Sequence, residues 1–373
     1  MNFGFAPEEQ AFRLEVRTFL EDHRNLDGFF RQGHVWPQVK ALFQAMGERG
    51  WLALAWPEEH GGLGAGPAME FLLWDEVAYA RAARNPLAAG IVARTLIRHG
   101  SPEQKRLWLP PIRSGELHFS LAYSEPEAGS DLASLRTRAE RRGDRYLVSG
   151  RKIWQSYAQD MDCLWLLCRT GPPESRGRGL SLMMIEIDAP GVSLTPHPTL
   201  DGDQLNEVLL EEVEIPLENR VGAEDGAWAI MAEALADERH IQFPPGRVRR
   251  DMEEMNAWVR EQGLDADPRV ASRMEDLAVR ALEVEMHALR VLDAMQKGRP
   301  AVVEAAANKV VHTLVSQEIA RAVVDFGGRE ALVEGARPAL LWCQSMWETI
   351  GGGTSEVMRG VVARQGLGLG GRS

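Results

Sequence analysis

Long apolar runs, cysteines and surplus positive charge are scarce or absent in this sequence of 373 residues. No apolar stretch approaches the roughly 20 residues that a helix needs to span a bilayer. The first residues, MNFGFAPEEQ, lack the basic region and apolar core of a secretion signal. These absences predict a cytoplasmic protein with no membrane partner.

The charge balance and the cysteines argue against two further classes of protein. The formal net charge of -12 argues against a nucleic-acid partner, because phosphates call for a basic surface. The three cysteines, Cys163, Cys168 and Cys343, do not have the spacing of a metal site. We expect them to pack in the core, and we predict no metal ion.

The secondary-structure pattern of the sequence changes twice along the chain. Residues 1–117 carry helical patterns, including an apolar face from Phe12 to Leu20. Residues 118–222 contain short stretches rich in strand formers, such as RYLVSG, CLWLLCR and EVLLEEVEI. Helical periodicity returns in residues 223–373. These ranges are the predicted domains, and the predicted class is α+β: a helical domain, a middle β domain and a C-terminal helix bundle.

Three glycines, Gly351 to Gly353, stand directly before the stretch TSEV. Thr354 is a good N-cap, and residues 357–365 have a helical pattern. Free N–H groups at such a helix start can bind an anion such as a phosphate. A plain helix start after a loop explains the stretch about as well, so the glycines alone assign no function.

Two stretches of the β region have the composition of a ligand site. LAYSEPEAGSDLASL (121–135) follows a predicted strand and is dense in hydroxyls and turn formers. GRKIWQS (150–156) places Trp154 in a polar strand, with Ser156 on the same side two residues later. The indole could stack on a flat ring, but for each stretch taken alone an ordinary structural role, such as packing in the core, is the better explanation.

Taken together, these motifs resemble the acyl-CoA dehydrogenases. SEPEAGSD, KIWQS, LNEVLLEEVEIP and IGGGTSE occur in this order, with WPEEHGGLGAG and DFGG also fitting. The resemblance covers nearly the whole chain and is closest to bacterial members that act on bulky acyl groups such as steroid side chains. It implies an N-terminal helical domain, a β domain and a C-terminal four-helix bundle. It also implies FAD, an acyl-CoA substrate and a role in lipid degradation, with an electron-transfer flavoprotein as electron acceptor.

The resemblance implies a role for individual residues. The loop after Leu121 would line the flavin and the thioester, Trp154 would cover one face of the flavin, and Ser156 would bond its N5 or O4. The implied cofactor contacts are Leu121, Ser124, Gly129, Ser130, Trp154, Ser156, Thr354 and Glu356, and the implied substrate contacts are Ser130 and Arg239.

The implied reaction is α,β-dehydrogenation, in which a carboxylate takes the α-proton while the β-hydrogen leaves as hydride to flavin N5. Many members carry this base where the present chain has Gly352, whose backbone N–H would still donate to the thioester carbonyl. The isovaleryl-type members carry it directly before an arginine, and Glu238 occupies that place here, before Arg239. We therefore expect Glu238 to be the base, with Glu348 as the alternative and a solvated Glu238 as the simplest other explanation.

The resemblance is incomplete in the helical C-terminal region. Between Arg250 and Arg280 the chain lacks the arginine followed by Phe-Gly that holds the FAD diphosphate of a neighbouring subunit, and Val324 replaces a usual glutamine. Arginines at 247, 249 or 250 could take over that contact. Homo-oligomer and heterotetramer with a second acyl-CoA dehydrogenase-like chain both stay open, as do a non-catalytic partner subunit and a flavin oxidase or monooxygenase.

Overall fold

A computed structural model describes residues 4–23, 26–29, 31–237 and 239–370, without the side chains of residues 235–237 and 239. Its α-helices are α1 Pro7–Leu20, α2 Trp36–Glu48, α3 Pro67–Tyr79, α4 Ala93–His99, α5 Pro102–Arg113, α6 Ala227–Asp237, α7 Arg239–Gln242, α8 Pro245–Glu261, α9 Pro268–Gln296, α10 Val302–Gly327, α11 Arg337–Glu348 and α12 Ser355–Val361. Two π-helical turns, Ala88–Val92 and Val362–Gly366, adjoin α4 and α12.

The strands are all in the middle of the chain: β1 Phe119–Ala122, β2 Arg138–Arg142, β3 Arg145–Ser156, β4 Cys163–Arg169, β5 Leu180–Glu186, β6 Val192–Pro198, β7 Gln204–Pro216 and β8 Arg220–Val221. They form one sheet in the order β6-β7-β3-β2-β4-β5-β8, with β1 pairing parallel to β4. Most of the pairs are antiparallel. A helical region, a sheet region and a second helical region therefore follow one another, which confirms the predicted fold class.

Two compact units divide the chain differently from the three predicted sequence ranges. The bundle unit consists of Met1–Phe30, Gly66–Ala83 and Arg239–Ser373, and the sheet unit consists of Arg31–Ala65 and Arg84–Glu238. The N-terminal helices are thus shared: α1 and α3 belong to the bundle unit, while α2, α4 and α5 belong to the sheet unit. The domain limits at residues 117 and 222 stay a prediction.

In the sheet unit, the strand β4 lies at the centre of the core. All seven of its residues, CLWLLCR, are buried, which fits a strand covered on both faces. Cys163 and Cys168 are therefore core residues, as predicted. The strands β3 and β7 alternate instead, and Tyr146, Val148 and Val213 face the same apolar cluster as β4.

In the bundle unit, α8, α9, α10 and α11 share one apolar core. The residues that form it include Val248 and Met255 of α8, Leu277 of α9, Val315 and Val323 of α10, and Leu341 of α11. Each helix contributes one stripe at helical spacing, as expected of helices that bury one face against their neighbours. These four long helices form the predicted bundle.

Buried ion pairs join distant segments of the bundle unit. The guanidinium of Arg81 is 2% exposed and donates to Asp251 at 2.7 Å and to Glu254 at 2.9 Å. Arg81 follows α3, and both carboxylates belong to α8. The pairs therefore tie the segment 66–83 to α8, and Asp251 lies 170 residues after Arg81.

No helix among the described residues has both the length and the apolar character needed to cross a membrane.

Candidate active site

Trp154 stands at an irregularity in β3. The register between β3 and β7 shifts between Lys152 and Gln155, and Trp154 has φ = 68°. This left-handed angle is uncommon for a bulky residue and is held only where the surroundings impose it. Its indole is 59% exposed, while Gln155 beside it is 1% exposed. The bulge thus turns a large flat side chain out of the sheet.

The loop that follows β1 lies directly against this bulge. The N–H of Ile153 donates to the carbonyl of Ser124 at 2.9 Å, and the hydroxyl of Ser120 donates to the carbonyl of Ser156 at 2.9 Å. The sheet unit therefore brings Leu121 of β1, Ser124, Trp154 and Ser156 near one another. That they form a single cofactor site stays a prediction.

A buried ion pair fixes the base of this loop. The ammonium of Lys152, which is fully buried, donates to the Glu125 carboxylate at 2.9 Å and to the Tyr123 carbonyl at 3.0 Å. The same carboxylate accepts the N–H groups of Arg136 and Thr137 at 2.6 and 2.8 Å. Burial raises the pKa of Glu125, but Lys152 and these N–H groups outweigh it and hold the pKa below its usual value.

A second buried cation holds the far end of the loop. The guanidinium of Arg169 donates to the carbonyls of Leu135 at 2.9 Å and Ala133 at 2.8 Å. The loop tip with Gly129 and Ser130 is exposed. A rigid base and an open tip therefore present backbone and hydroxyl groups outward.

Sequence reasoning missed Lys152, Glu125 and Arg169. The available signal was Lys152 itself, because the alternation of β3 places it on the same inward face as the buried Tyr146 and Val148. A charged residue at an inward position of a strand requires a buried partner.

The residues that the sheet unit assembles fit a flat, polar-edged ring. Trp154 offers an exposed aromatic face. In the part of the chain that the structure describes, the hydroxyls of Ser124, Ser130 and Ser156 make no hydrogen bond to other protein groups. These hydroxyls can donate to or accept from a ligand, and a ring such as isoalloxazine needs such partners at its edge.

The glycine loop lies in the bundle unit, between α11 and α12. Gly352 and Gly353 have φ = 68° and 91°, so both occupy the region that glycine tolerates best. The N–H of Gly351 donates to the Trp347 carbonyl at 3.0 Å, and that of Ser355 donates to the Thr349 carbonyl at 2.8 Å. Among the described residues, the N–H of Gly352 donates no hydrogen bond to a protein group.

Thr354 and Glu356 have local roles in the structure. The hydroxyl of Thr354 accepts the N–H of Val357 at 3.2 Å, which confirms the predicted N-cap. Glu356 is exposed in the first turn of α12, a helix of seven residues. Its carboxylate would repel a phosphate at this helix start, so contact of either residue with the cofactor stays a prediction.

Of the two candidate bases, the structure describes only Glu348. Glu238, and the side chain of Arg239, lie outside the described residues. Glu348, the alternative, is 6% exposed at the end of α11 and forms an ion pair with the buried guanidinium of Arg247. The carboxylate of Glu348 is thus occupied by a buried arginine, which makes it less available to take a proton from a substrate. The assignment of Glu238 as the base stays a prediction.

The arginines that could replace the missing diphosphate contact are committed to carboxylates. Arg247 pairs with Glu348 and Asp251, Arg249 donates to Asp75 at 2.6 Å, and Arg250 donates to Glu254 at 2.9 Å. These pairs lie within the bundle unit and compete with any bond to a phosphate.

Comparison with known proteins decides the family. The family models described as acyl-CoA dehydrogenase N-terminal, middle and C-terminal domain match residues 6–116, 120–213 and 225–367. The chain is an acyl-CoA dehydrogenase. It is therefore a flavin-dependent oxidoreductase that dehydrogenates acyl-CoA thioesters, and FAD is its cofactor, as the sequence predicted.

Its relatives confirm the predicted bacterial branch of this acyl-CoA dehydrogenase family. The acyl-CoA dehydrogenases FadE26 and FadE29 of Mycobacterium tuberculosis are 32% and 33% identical, over 99% and 98% of both chains. Two solved structures cover all of this chain and are covered fully in return. They are the Tcur3481-Tcur3483 steroid ACAD, with TM-score 0.91 and 29% identity, and the ChsE4-ChsE5 complex from Mycobacterium tuberculosis, with TM-score 0.89 and 31% identity.

Replacing Glu125 by Gln should destabilise the sheet unit. At pH 7 the free energy of unfolding should fall by about 3–5 kcal/mol, because Lys152 loses its buried counter-charge. Urea unfolding followed by tryptophan fluorescence measures this difference. Because the folded state lowers the pKa of the Glu125 carboxyl, the charged carboxylate stabilises the folded state above its unfolded pKa. This contribution to the free energy of unfolding is lost as pH falls through the folded pKa. The difference in the free energy of unfolding between wild type and Glu125→Gln should therefore become smaller below about pH 4.5.

The control for this experiment is Glu127→Gln in the same loop. Glu127 is exposed, so its substitution should change the free energy of unfolding by less than about 0.5 kcal/mol. Equal stabilities of Glu125→Gln, Glu127→Gln and wild type at pH 7 would contradict the role given to the buried pair.

Proposed function

We propose that this enzyme oxidises the α,β bond of an acyl-CoA with a bulky acyl group, such as a steroid side chain. The outward turn of Trp154 in the sheet unit is the observation that carries the cofactor part of this proposal. The substrate part is supported by the similar structure described as a steroid ACAD. Trp154, Ser124 and Ser156, with Gly129 and Ser130 at the loop tip, would hold the flat ring of this cofactor.

The chain supplies the proton chemistry and bound FAD supplies a hydride acceptor. Glu238 takes the α-proton of the thioester, a very weak acid, so the base needs a dry site and the developing negative oxygen needs a donor. The N–H of Gly352 is that donor, since it is otherwise unused and the glycine has no side chain in the way. Arg239 contributes to binding of the CoA portion.

We also propose that the flavin site is completed by a second acyl-CoA dehydrogenase-like chain. The arginines at 247, 249 and 250 are committed to carboxylates, so they do not replace the missing diphosphate contact. The helix α9 carries an exposed apolar stripe of Val279, Leu282 and Met286, at the spacing of one helix face. Two similar structures are named for pairs of chains, which supports a second chain here.

We further propose that an electron-transfer flavoprotein takes up the electrons of the reaction.

Glu238→Gln tests the proposed base. The amide keeps the shape of the side chain but cannot accept the proton, so reduction of the flavin by a good thioester substrate should slow by roughly 10²-fold or more. Stopped-flow absorbance measures this rate, and thioester binding should persist.

The matched control is Glu233→Gln, an exposed residue of α6 that accepts a hydrogen bond from His99. It should leave the reduction rate near that of wild type. Unchanged reduction by Glu238→Gln would place the base elsewhere, and Glu348→Gln would then be the next variant to measure.

Gly352→Ala tests the use of this backbone N–H. Alanine at φ = 68° is strained by roughly 1–2 kcal/mol, and its methyl group would approach the thioester. Misplacement of about 1 Å can cost about 10²-fold in rate, so we expect a loss of that order in flavin reduction, with weaker thioester binding.

Gly351→Ala is the control for Gly352→Ala. A Cβ at Gly351 would meet only the Trp347 ring at 3.4 Å, and this glycine does not have positive φ. The Gly351→Ala enzyme should therefore retain most of the wild-type activity. If Gly352→Ala keeps both affinity and rate, substrate does not approach this loop closely.

Expression of the chain alone tests the second polypeptide. A charge-assisted contact to the diphosphate is worth roughly 1.5–3 kcal/mol, or about 10- to 100-fold in FAD affinity. A homo-oligomer repeats the defect at every site by symmetry, so the purified chain should hold less than one FAD per chain, as measured by flavin absorbance and subunit mass. A homo-oligomer with one tightly bound FAD per chain and full thioester activity would remove the need for a partner.

A further inference from the structure

Lys309 of α10 joins both ends of the glycine loop. Its side chain is 1% exposed. The ammonium donates to the carbonyl of Thr349 at 3.1 Å and to the carbonyl of Gly353 at 2.7 Å. These two carbonyls lie on either side of Ile350, Gly351 and Gly352. One cation in the bundle unit therefore bridges the segment that contains the unused N–H of Gly352.

The loop has few other constraints of its own. Its start is held by the bond from Gly351 to Trp347, and its end by the bond from Ser355 to Thr349. Between these bonds stand two glycines with positive φ, and glycine restricts the backbone least of all residues. The direction of the Gly352 N–H therefore depends on what holds the neighbouring carbonyls.

The ammonium of Lys309 has no carboxylate within ion-pair distance among the described residues. Burial lowers its pKa to about 8, while Glu348 of α11 and Glu356 of α12 favour its charged form. His312, one turn along α10, has a pKa near 3 because of its own burial, so it is neutral at pH 7. Near neutral pH Lys309 is charged, and hydrogen bonds from a charged donor are about twice as strong as neutral ones.

We propose that Lys309 is a positioning residue that aims the Gly352 N–H at the thioester carbonyl by fixing the carbonyls of Thr349 and Gly353. This inference rests on the role proposed above for Gly352. Lys309 itself touches neither substrate nor cofactor. Its effect on the reaction passes through the backbone of the glycine loop.

Two substitutions in the holoenzyme separate positioning from general stability. Lys309→Met keeps the length of the side chain and removes every donor, while Lys309→Gln keeps a neutral donor. Thr313→Val is the matched control, because Thr313 is fully buried on the same helix and donates to the Lys309 carbonyl at 2.9 Å without touching the loop. Amide hydrogen exchange is measured at the loop amides of Gly351 and Ser355, which donate to the carbonyls of Trp347 and Thr349. The rate of flavin reduction by an acyl-CoA is measured for each variant as well.

In Lys309→Met, we expect exchange of the loop amides to accelerate by about 10- to 100-fold, the scale of one charge-assisted contact. Flavin reduction at saturating thioester should slow by about 10²-fold. The exchange rate and the reduction rate of Lys309→Gln should lie between those of wild type and Lys309→Met. Thr313→Val should change neither rate by more than a fewfold.

The outcomes distinguish this inference from the proposed function. Unchanged loop exchange in Lys309→Met overturns the clamp, whatever the reduction rate. Faster exchange with an unchanged reduction rate overturns the positioning role of Lys309 and leaves the role of the Gly352 N–H to be decided by Gly352→Ala. Slow reduction in Gly352→Ala together with unchanged exchange in Lys309→Met overturns only the present inference.

A measurement on the unsubstituted holoenzyme covers the case in which Lys309→Met does not fold. As pH rises through about 8, the ammonium loses its charge and the clamp weakens. After correction for the intrinsic rise of exchange with pH, the protection of the Gly351 and Ser355 amides should fall through this range. Constant corrected protection between pH 7 and 9 would overturn the inference.

Discussion

The ammonium of Lys152 in β3 is the group on which the sheet unit's site depends. A lysine in this position has no access to water, so it must find its partners in the protein. It takes them from two elements at once, the Tyr123 carbonyl and the Glu125 carboxylate. The loop after β1 is thereby tied to β3 at the residue before the bulge. With both sides of the bulge held, Trp154 can keep a backbone angle that its side chain disfavours.

A related arrangement occurs in the bundle unit with one difference. Lys152 neutralises a carboxylate, whereas Lys309 uses its charge on two backbone carbonyls. The first is an ion pair whose loss leaves a charge unmatched. The second stabilises one conformation of a loop that has glycine at the positions where its backbone is most unusual. In both cases a buried cation lies beneath the exposed groups, so the exposed surface need not supply its own rigidity.

The sequence predicted the elements better than it predicted their grouping. Short stretches rich in strand formers were enough to predict strands within β3 and β7, and four motifs in a fixed order were enough to predict the family and its cofactor. The bulge at Trp154 was not predictable, because it depends on pairing with β7 and on bonds to Ser124. The burial of Lys309 was equally hidden, since only tertiary contacts decide which face of α10 meets the glycine loop. The division of α1 and α3 from α2, α4 and α5 depends on contacts between residues far apart in the chain.

The composition of the bundle unit from three separated segments has a consequence for synthesis on the ribosome. Arg81 leaves the ribosome 170 residues before its partner Asp251, which corresponds to roughly 10 to 35 seconds at about 5–20 residues per second. During that interval α3 exists without α9, whose Ala288 and Leu292 pack against Ala68, Phe71 and Leu72 in the complete protein. The sheet unit needs only residues up to 238 and can form first. The emerging chain therefore passes through a stage in which the sheet unit is folded while α1 and α3 are not yet packed into the bundle unit. At this stage chaperones have apolar surface to bind.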